Sequence, residues 1–144
     1  MKDIPPWMPI AEAELGVKED PDEGENPRVI EYHAATRLKA TLDSVPWCSS
    51  FACWVMEQAG INHPESARAR AWLRWGEKLL TPVYGCIVVF DRGHGTGHVG
   101  FFIGFDGEKL KVLGGNQSNA VNIQSWPRYK VLGFRWPKKD ELSS

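Results

Sequence analysis

The sequence has few cysteines, no long apolar run and no excess of charge of either sign. Three cysteines are present, an odd number, and no two stand as Cys-x-x-Cys. That pattern argues against a disulfide framework and against a cysteine-rich zinc site, and it fits folding in a reducing compartment. No apolar stretch approaches the ~20 residues needed to cross a bilayer. The opening Met1-Lys2-Asp3-Ile4-Pro5-Pro6 lacks the positive and apolar regions of a signal peptide. Synthesis in the cytoplasm is therefore expected, with a secretion system or lysis carrying the protein to any target beyond it. Lys and Arg number 17 against 18 Asp and Glu, a net charge of −1. There is thus no global field for nucleic acid or an anionic membrane.

What is present is aromatic. Seven tryptophans in 144 residues imply a large aromatic core, with some left to line a groove for an extended ligand. The length fits one domain, read as 1–137, followed by a flexible tail at 138–144. Residues 5–15 read as a short helix closed by Gly16. An acidic, turn-rich stretch from Lys18 to Pro27 follows; its spacing matches no EF-hand and it reads as solvated. Asn26-Pro27 looks like an N-cap with proline at the first helical position, opening a helix to about His33 or Ala35. The next helix spans about Trp47 to Ala59 and is apolar on every side, hence buried. Pro64 to about Trp75 reads as a further helix. From Cys86 the period changes to that of strands, at 86–90, 98–103, 109–113, 121–124 and 129–134. Helices first and a meander of about five strands after predict an α+β fold with an antiparallel sheet.

One cysteine stands apart. In Val45-Pro46-Trp47-Cys48-Ser49-Ser50-Phe51, Cys48 falls where a helix begins, and the positive end of the helix dipole there favours thiolate. His98 in Gly97-His98-Val99-Gly100 falls near the start of a strand. A thiol beside an imidazole is a nucleophile with its own base. The 98–103 and 109–113 strands are joined by the short loop 104–108. If Ile103 pairs near Leu110, His98 lies opposite about Gly115, and Asn116 emerges beside it. An amide there fixes the imidazole tautomer. Gln117 is the alternative for that role. Cys53 points about 140° away around the helix, and Cys86 reads as a small core residue. His94 competes with His98 as base but lies mid-loop. The glycines of 93–97 and 114–115 read as backbone left open to a substrate. Trp47, Ser49, Gly97 and Gln117 are the candidate substrate contacts; no metal or cofactor is expected.

These stretches resemble the CHAP and NlpC-type cysteine peptidases, the papain-like hydrolases of bacterial and phage cell walls. The likeness is carried by 45–51, by Gly85–Gly104 with Gly97-His98-Val99-Gly100, and by Gly114-Gly115-Asn116-Gln117. Asn26–Tyr32 also looks like the pre-cysteine helix of one compact branch. The resemblance implies a papain-like fold, with Cys48 as nucleophile, His98 as base and Asn116 as the polar third residue. It also implies amide hydrolysis in peptidoglycan, at the glycan–L-alanine bond or within the stem peptide. One departure is Gly85-Cys86, where these families often read Gly-Asp.

The partner expected is peptidoglycan, met as a monomer, with no nucleic acid or membrane. The biological role is either a phage-type lysin or a secreted antibacterial effector with an immunity protein as inhibitor. Two other classes compete. One is a cysteine deamidase or acyltransferase on another substrate. The other is a non-catalytic wall-binding module whose surface is Trp47, Trp72, Trp75 and Trp126.

Overall fold

The computed structural model describes residues 4–20, 26–37 and 46–138. The tail from 139 and residues 21–25 of the acidic stretch lie outside the described residues. Three helices come first: α1 (Trp7–Ala13), α2 (Pro27–Ala34) and α3 (Cys48–Gln58). Asn26 caps α2 as its sequence position predicts, its side chain accepting from the Arg28 backbone N–H at 2.9 Å. Glu14 joins the first two helices. It accepts from Tyr32 Oη at 2.6 Å and pairs with Arg28 Nε at 3.1 Å.

Six strands follow: β1 (Glu77–Leu79), β2 (Ile87–Gly93), β3 (Thr96–Asp106), β4 (Lys109–Gln117), β5 (Ala120–Pro127) and β6 (Val131–Trp136). They form one antiparallel sheet in the order β1-β6-β2-β3-β4-β5. The α+β architecture is the one expected, with one strand more. Among the described residues no helix is long and apolar enough to cross a membrane.

The helix expected from Pro64 to Trp75 is not α-helical. Only Ala69–Arg74 turns, as a 3₁₀ segment, and Arg68 before it is extended. Long-range bonds decide this. Trp72 Nε1 donates to Ser49 Oγ at 2.8 Å, Trp75 Nε1 to the Asn62 carbonyl at 2.9 Å, and Ser49 Oγ to the Ser66 carbonyl at 2.6 Å. An α-helix from Pro64 would take the Ser66 carbonyl into its own ladder.

The sheet is buried on both faces. Ile87, Val89, Val99, Phe101 and Leu113 pack with the helices, where α3 contributes Phe51, Val55 and Met56. Val88, Phe90, Phe102, Leu110 and Val112 form a second cluster with Trp126 and Phe134. This explains the uninterrupted apolar run of β2: Ile87 and Val89 serve one cluster, Val88 and Phe90 the other.

Gly114-Gly115, read from sequence as backbone open to substrate, is instead buried and tightly approached. A Cβ on Gly115 would lie 2.7 Å from Phe51 Cβ and 2.9 Å from the Trp47 ring. Gly115→Ala is therefore expected to cost about 1–3 kcal/mol, seen as a lower urea midpoint at unchanged slope.

Candidate active site

Cys48 is the first residue of α3, as the sequence placed it. Its N–H is among those a helix start leaves without an intrahelical partner. Cys48 is 5% exposed and lines a cleft of about 730 Å³. One wall of the cleft is residues 67–70; the other is Arg92 with 95–97 from the β2–β3 hairpin. Gly97 thus lines the cleft. Trp47 and Ser49 do not: both are fully buried. Trp47 donates from Nε1 to Glu19 Oε1 at 2.8 Å, and Ser49 bridges Trp72 and Ser66. Their roles are packing and anchoring, which corrects their reading as substrate contacts.

His98 lies one residue beyond Gly97 on β3 and is fully buried. Its Nε2 sits 2.9 Å from Gln117 Oε1. The Gln117 amide nitrogen donates within 2.9 to 3.2 Å of three oxygens: the carbonyls of Val112 and Asn122 and the Asn122 side-chain oxygen. The Asn122 amide nitrogen donates in turn to the Gln117 carbonyl. With the nitrogen so committed, Oε1 must face His98 as an acceptor, and His98 Nε2 must carry the proton. Neutral Nδ1 then bears a free lone pair. It is buried and makes no hydrogen bond among the described residues.

Gln117, the alternative weighed for the third position, is therefore the residue against the imidazole. Asn116 takes a left-handed backbone at φ 56°, and no hydrogen bond joins it to His98 among the described residues. A register shift accounts for the difference. Leu110 pairs with Phe105 rather than Ile103, and an irregularity between Phe102 and Gly104 takes back one residue. Beyond it Phe101 faces Leu113, so the residue beside His98 moves on by one.

Trp126 completes this side. Its ring stacks on the imidazole at 4.3 Å between centroids and 12° between planes, and its Nε1 donates to Gln117 Oε1 at 3.0 Å. Neither this role nor that of Asn122 is legible in the sequence. Only the hairpin pairing that brings β5 alongside β4 reveals them. A Cβ on Gly114 would lie 2.8 Å from Gln117 Oε1 and 3.2 Å from His98 Nε2, so glycine keeps space for the pair.

Burial dominates the electrostatics. It raises the Cys48 thiol above its usual range, against the Val99 backbone hydrogen bond and the Arg92 charge, which both lower it. Burial also lowers His98 to about 4, with the Gln117 hydrogen bond opposing and Arg92 adding to the shift. The resting pair is neutral thiol and neutral imidazole, not the thiolate that the helix dipole alone would favour. The Val99 backbone, one residue after His98, favours the Cys48 thiolate, but no hydrogen bond closes between sulfur and Nδ1 in this structure. Cys53 and Cys86 are fully buried, and burial pushes each thiol up to about 12. His94 is exposed in the hairpin turn at φ 52°.

His98 has a stability consequence. The unfolded imidazole titrates near 6.5 and the folded one near 4. Between these values the unfolded chain binds more protons, so acidification through that window costs stability. The full loss is about 3 kcal/mol by pH 4. Urea melts from pH 6.5 to pH 4 should show this slope, and His98→Gln should flatten it.

A cysteine at the start of a buried helix, packed on an antiparallel sheet that holds an amide-tethered imidazole, defines the papain-like α+β class. The chain belongs to the CHAP family: the CHAP domain model matches residues 40–116, a span that contains Cys48 and His98 and stops one residue short of Gln117. It is also 30% identical over 90 residues to the Probable endopeptidase p60 of Listeria welshimeri, covering 60% of this chain and 16% of that protein. The proteins of the same name from Listeria monocytogenes serovar 1/2a and Listeria seeligeri match at the same identity over the same length, with 18% and 16% of each covered. The chain thus spans less than a fifth of the length of these curated relatives. The Gly85-Cys86 departure leaves the turn bonded: Gly85 N–H donates to the Phe102 carbonyl at 2.7 Å and Trp7 Nε1 to the Gly85 carbonyl at 2.8 Å.

Proposed function

We propose that this protein hydrolyses an amide bond in the peptide part of peptidoglycan by a cysteine mechanism. The observation that carries the reading is the contact of His98 Nε2 with Gln117 Oε1, which leaves a buried, unpartnered Nδ1 on the residue after Gly97, and Gly97 shares the cleft with Cys48. Membership of the CHAP family and likeness to the endopeptidases p60 support the substrate class.

In the proposed reaction Cys48 sulfur attacks the amide carbonyl carbon as its proton passes to His98 Nδ1. Because the resting pair is neutral, transfer and attack are coupled. Catalytic hydrogen bonds that are open without substrate commonly tighten when it binds. The tetrahedral oxyanion accepts from the Cys48 backbone N–H at the helix start, and such a donor is typically worth ~3 kcal/mol. The imidazolium then protonates the leaving amine and the C–N bond breaks. Water, deprotonated by His98, releases the acyl group and restores the thiol.

Three of the four tryptophans that a wall-binding surface would use, Trp47, Trp72 and Trp75, are buried, which favours the hydrolase over the binding module. Digestion of purified sacculi followed by mass spectrometry tests the proposal. Intact stem peptides freed from glycan identify an amidase; shortened stems identify an endopeptidase. No fragments from folded protein would overturn the reading. Delivery by a lysis apparatus or by a secretion system, the latter with an immunity protein at home, is part of the same proposal and is decided by neighbouring genes.

A further inference from the structure

The cleft beside Cys48 is lined by three arginines, Arg68, Arg70 and Arg92, and among the described residues by no carboxylate. In a chain of net charge −1 this is a local concentration of one sign. The three are not equivalent. Arg70 Nη2 pairs with Asp91 at 2.8 Å, and its Nε donates to the Thr96 carbonyl at 3.1 Å. It is a strut between the 3₁₀ segment and the hairpin. Arg68 and Arg92 are exposed, and neither has an acidic partner among the described residues. They approach the cleft from its two walls.

We propose that Arg68 and Arg92 form an anion subsite, which binds a free carboxylate of the stem peptide beside the scissile amide. The subsite rests on the hydrolase reading for its ligand, and it makes the protein selective for stems bearing that carboxylate over stems carrying a carboxamide in its place. Guanidinium matches carboxylate through paired, charge-assisted hydrogen bonds, and a carboxamide forfeits the charge. The subsite also bears on the chemistry. The positive charge of Arg92 disfavours the imidazolium that His98 must become. A carboxylate seated on Arg92 offsets that charge, so the preferred ligand also eases proton uptake at His98.

The test uses two synthetic stem peptides that differ only in carboxylate against primary carboxamide. Binding is measured by calorimetry on the Cys48→Ala protein, so the result does not depend on turnover. The carboxylate peptide is expected to bind at least ~10-fold more tightly, in the range of one charge-assisted contact. Arg68→Gln with Arg92→Gln should bring the ratio near one, and Arg92→Lys should keep part of it. Equal affinities, no measurable binding of either peptide, or a preference that survives the double substitution would each overturn the subsite. The same peptides are then given to wild type. Cleavage without a binding preference sinks the subsite alone; a binding preference without cleavage sinks the hydrolase reading alone.

Discussion

Cys48→Ala is expected to abolish turnover on sacculi, by a factor on the order of 10⁴ or more, with the fold retained. Removing the proposed nucleophile would leave only the oxyanion donor and substrate positioning, enough for a small residual rate. The fold survives because alanine is a good helix former and the sulfur lies at the first position of α3. A thermal melt beside the activity assay separates the two effects. Cys53→Ala and Cys86→Ala serve as controls: both thiols are buried and held far into the unreactive range, so both variants should stay active. Near-wild-type turnover by Cys48→Ala would move the nucleophile elsewhere.

Gln117→Leu is expected to lower kcat by a factor on the order of 10² to 10⁴ with a smaller effect on KM. The side-chain oxygen is what requires the proton on His98 Nε2. Without it the imidazole is free to protonate Nδ1 instead, which blocks acceptance of the thiol proton. The substitution also takes the Gln117 partner from the half-buried Trp126 Nε1–H and from the Asn122 carbonyl. Gln117→Glu keeps an acceptor for His98 but turns its second oxygen on the three oxygens that the amide nitrogen serves, so any recovery is partial. A carboxylate still accepts from Nε2–H, so activity should return in part. The added negative charge would also favour the imidazolium, moving the acid limb of kcat/KM upward from about pH 4, where His98 of the native protein titrates. The same substitutions at Asn116, which has no bond to His98, should have little effect on that limb.

What could be read from the sequence was what local chemistry punctuates. Asn26-Pro27 opens α2, and Pro46 precedes the helix that begins at Cys48. Glycine, asparagine and proline bracket the strands closely enough to give the α+β order. Three features depended on distant partners and were not legible. β1, Glu77–Leu79, is three residues with no alternation, and it is a strand only because β6 pairs with it. Residues 64–68 are irregular because carbonyls there serve Ser49 and Arg37, not a local helix. The third residue of the site turned on an irregularity between Phe102 and Gly104, and one residue of slip changes which side chain meets the imidazole. Ser49 and Trp47 looked functional beside Cys48, but the turn of a buried helix points neighbours into the core.

The strip of backbone at residues 16–19 has a consequence for the order in which the molecule assembles. Gly16 and Val121 bond to each other's neighbourhood through Gly16 N–H to the Val121 carbonyl and Val121 N–H to the Val17 carbonyl. Glu19 N–H reaches the Asn119 carbonyl, and Lys18 bridges to Ala120. The hairpin that carries Gln117, Asn122 and Trp126 is thus buttoned to the opening of the chain, roughly a hundred positions away in sequence. Closing such distant pairings is entropically slow and comes after local helices have formed. The β4–β5 hairpin that holds the imidazole's partners therefore gains its contact with residues 16–19 only when this distant pairing has closed. The order of assembly thus runs from the helices to this pairing, and the hairpin beside the imidazole is among the last parts of the fold to be fixed.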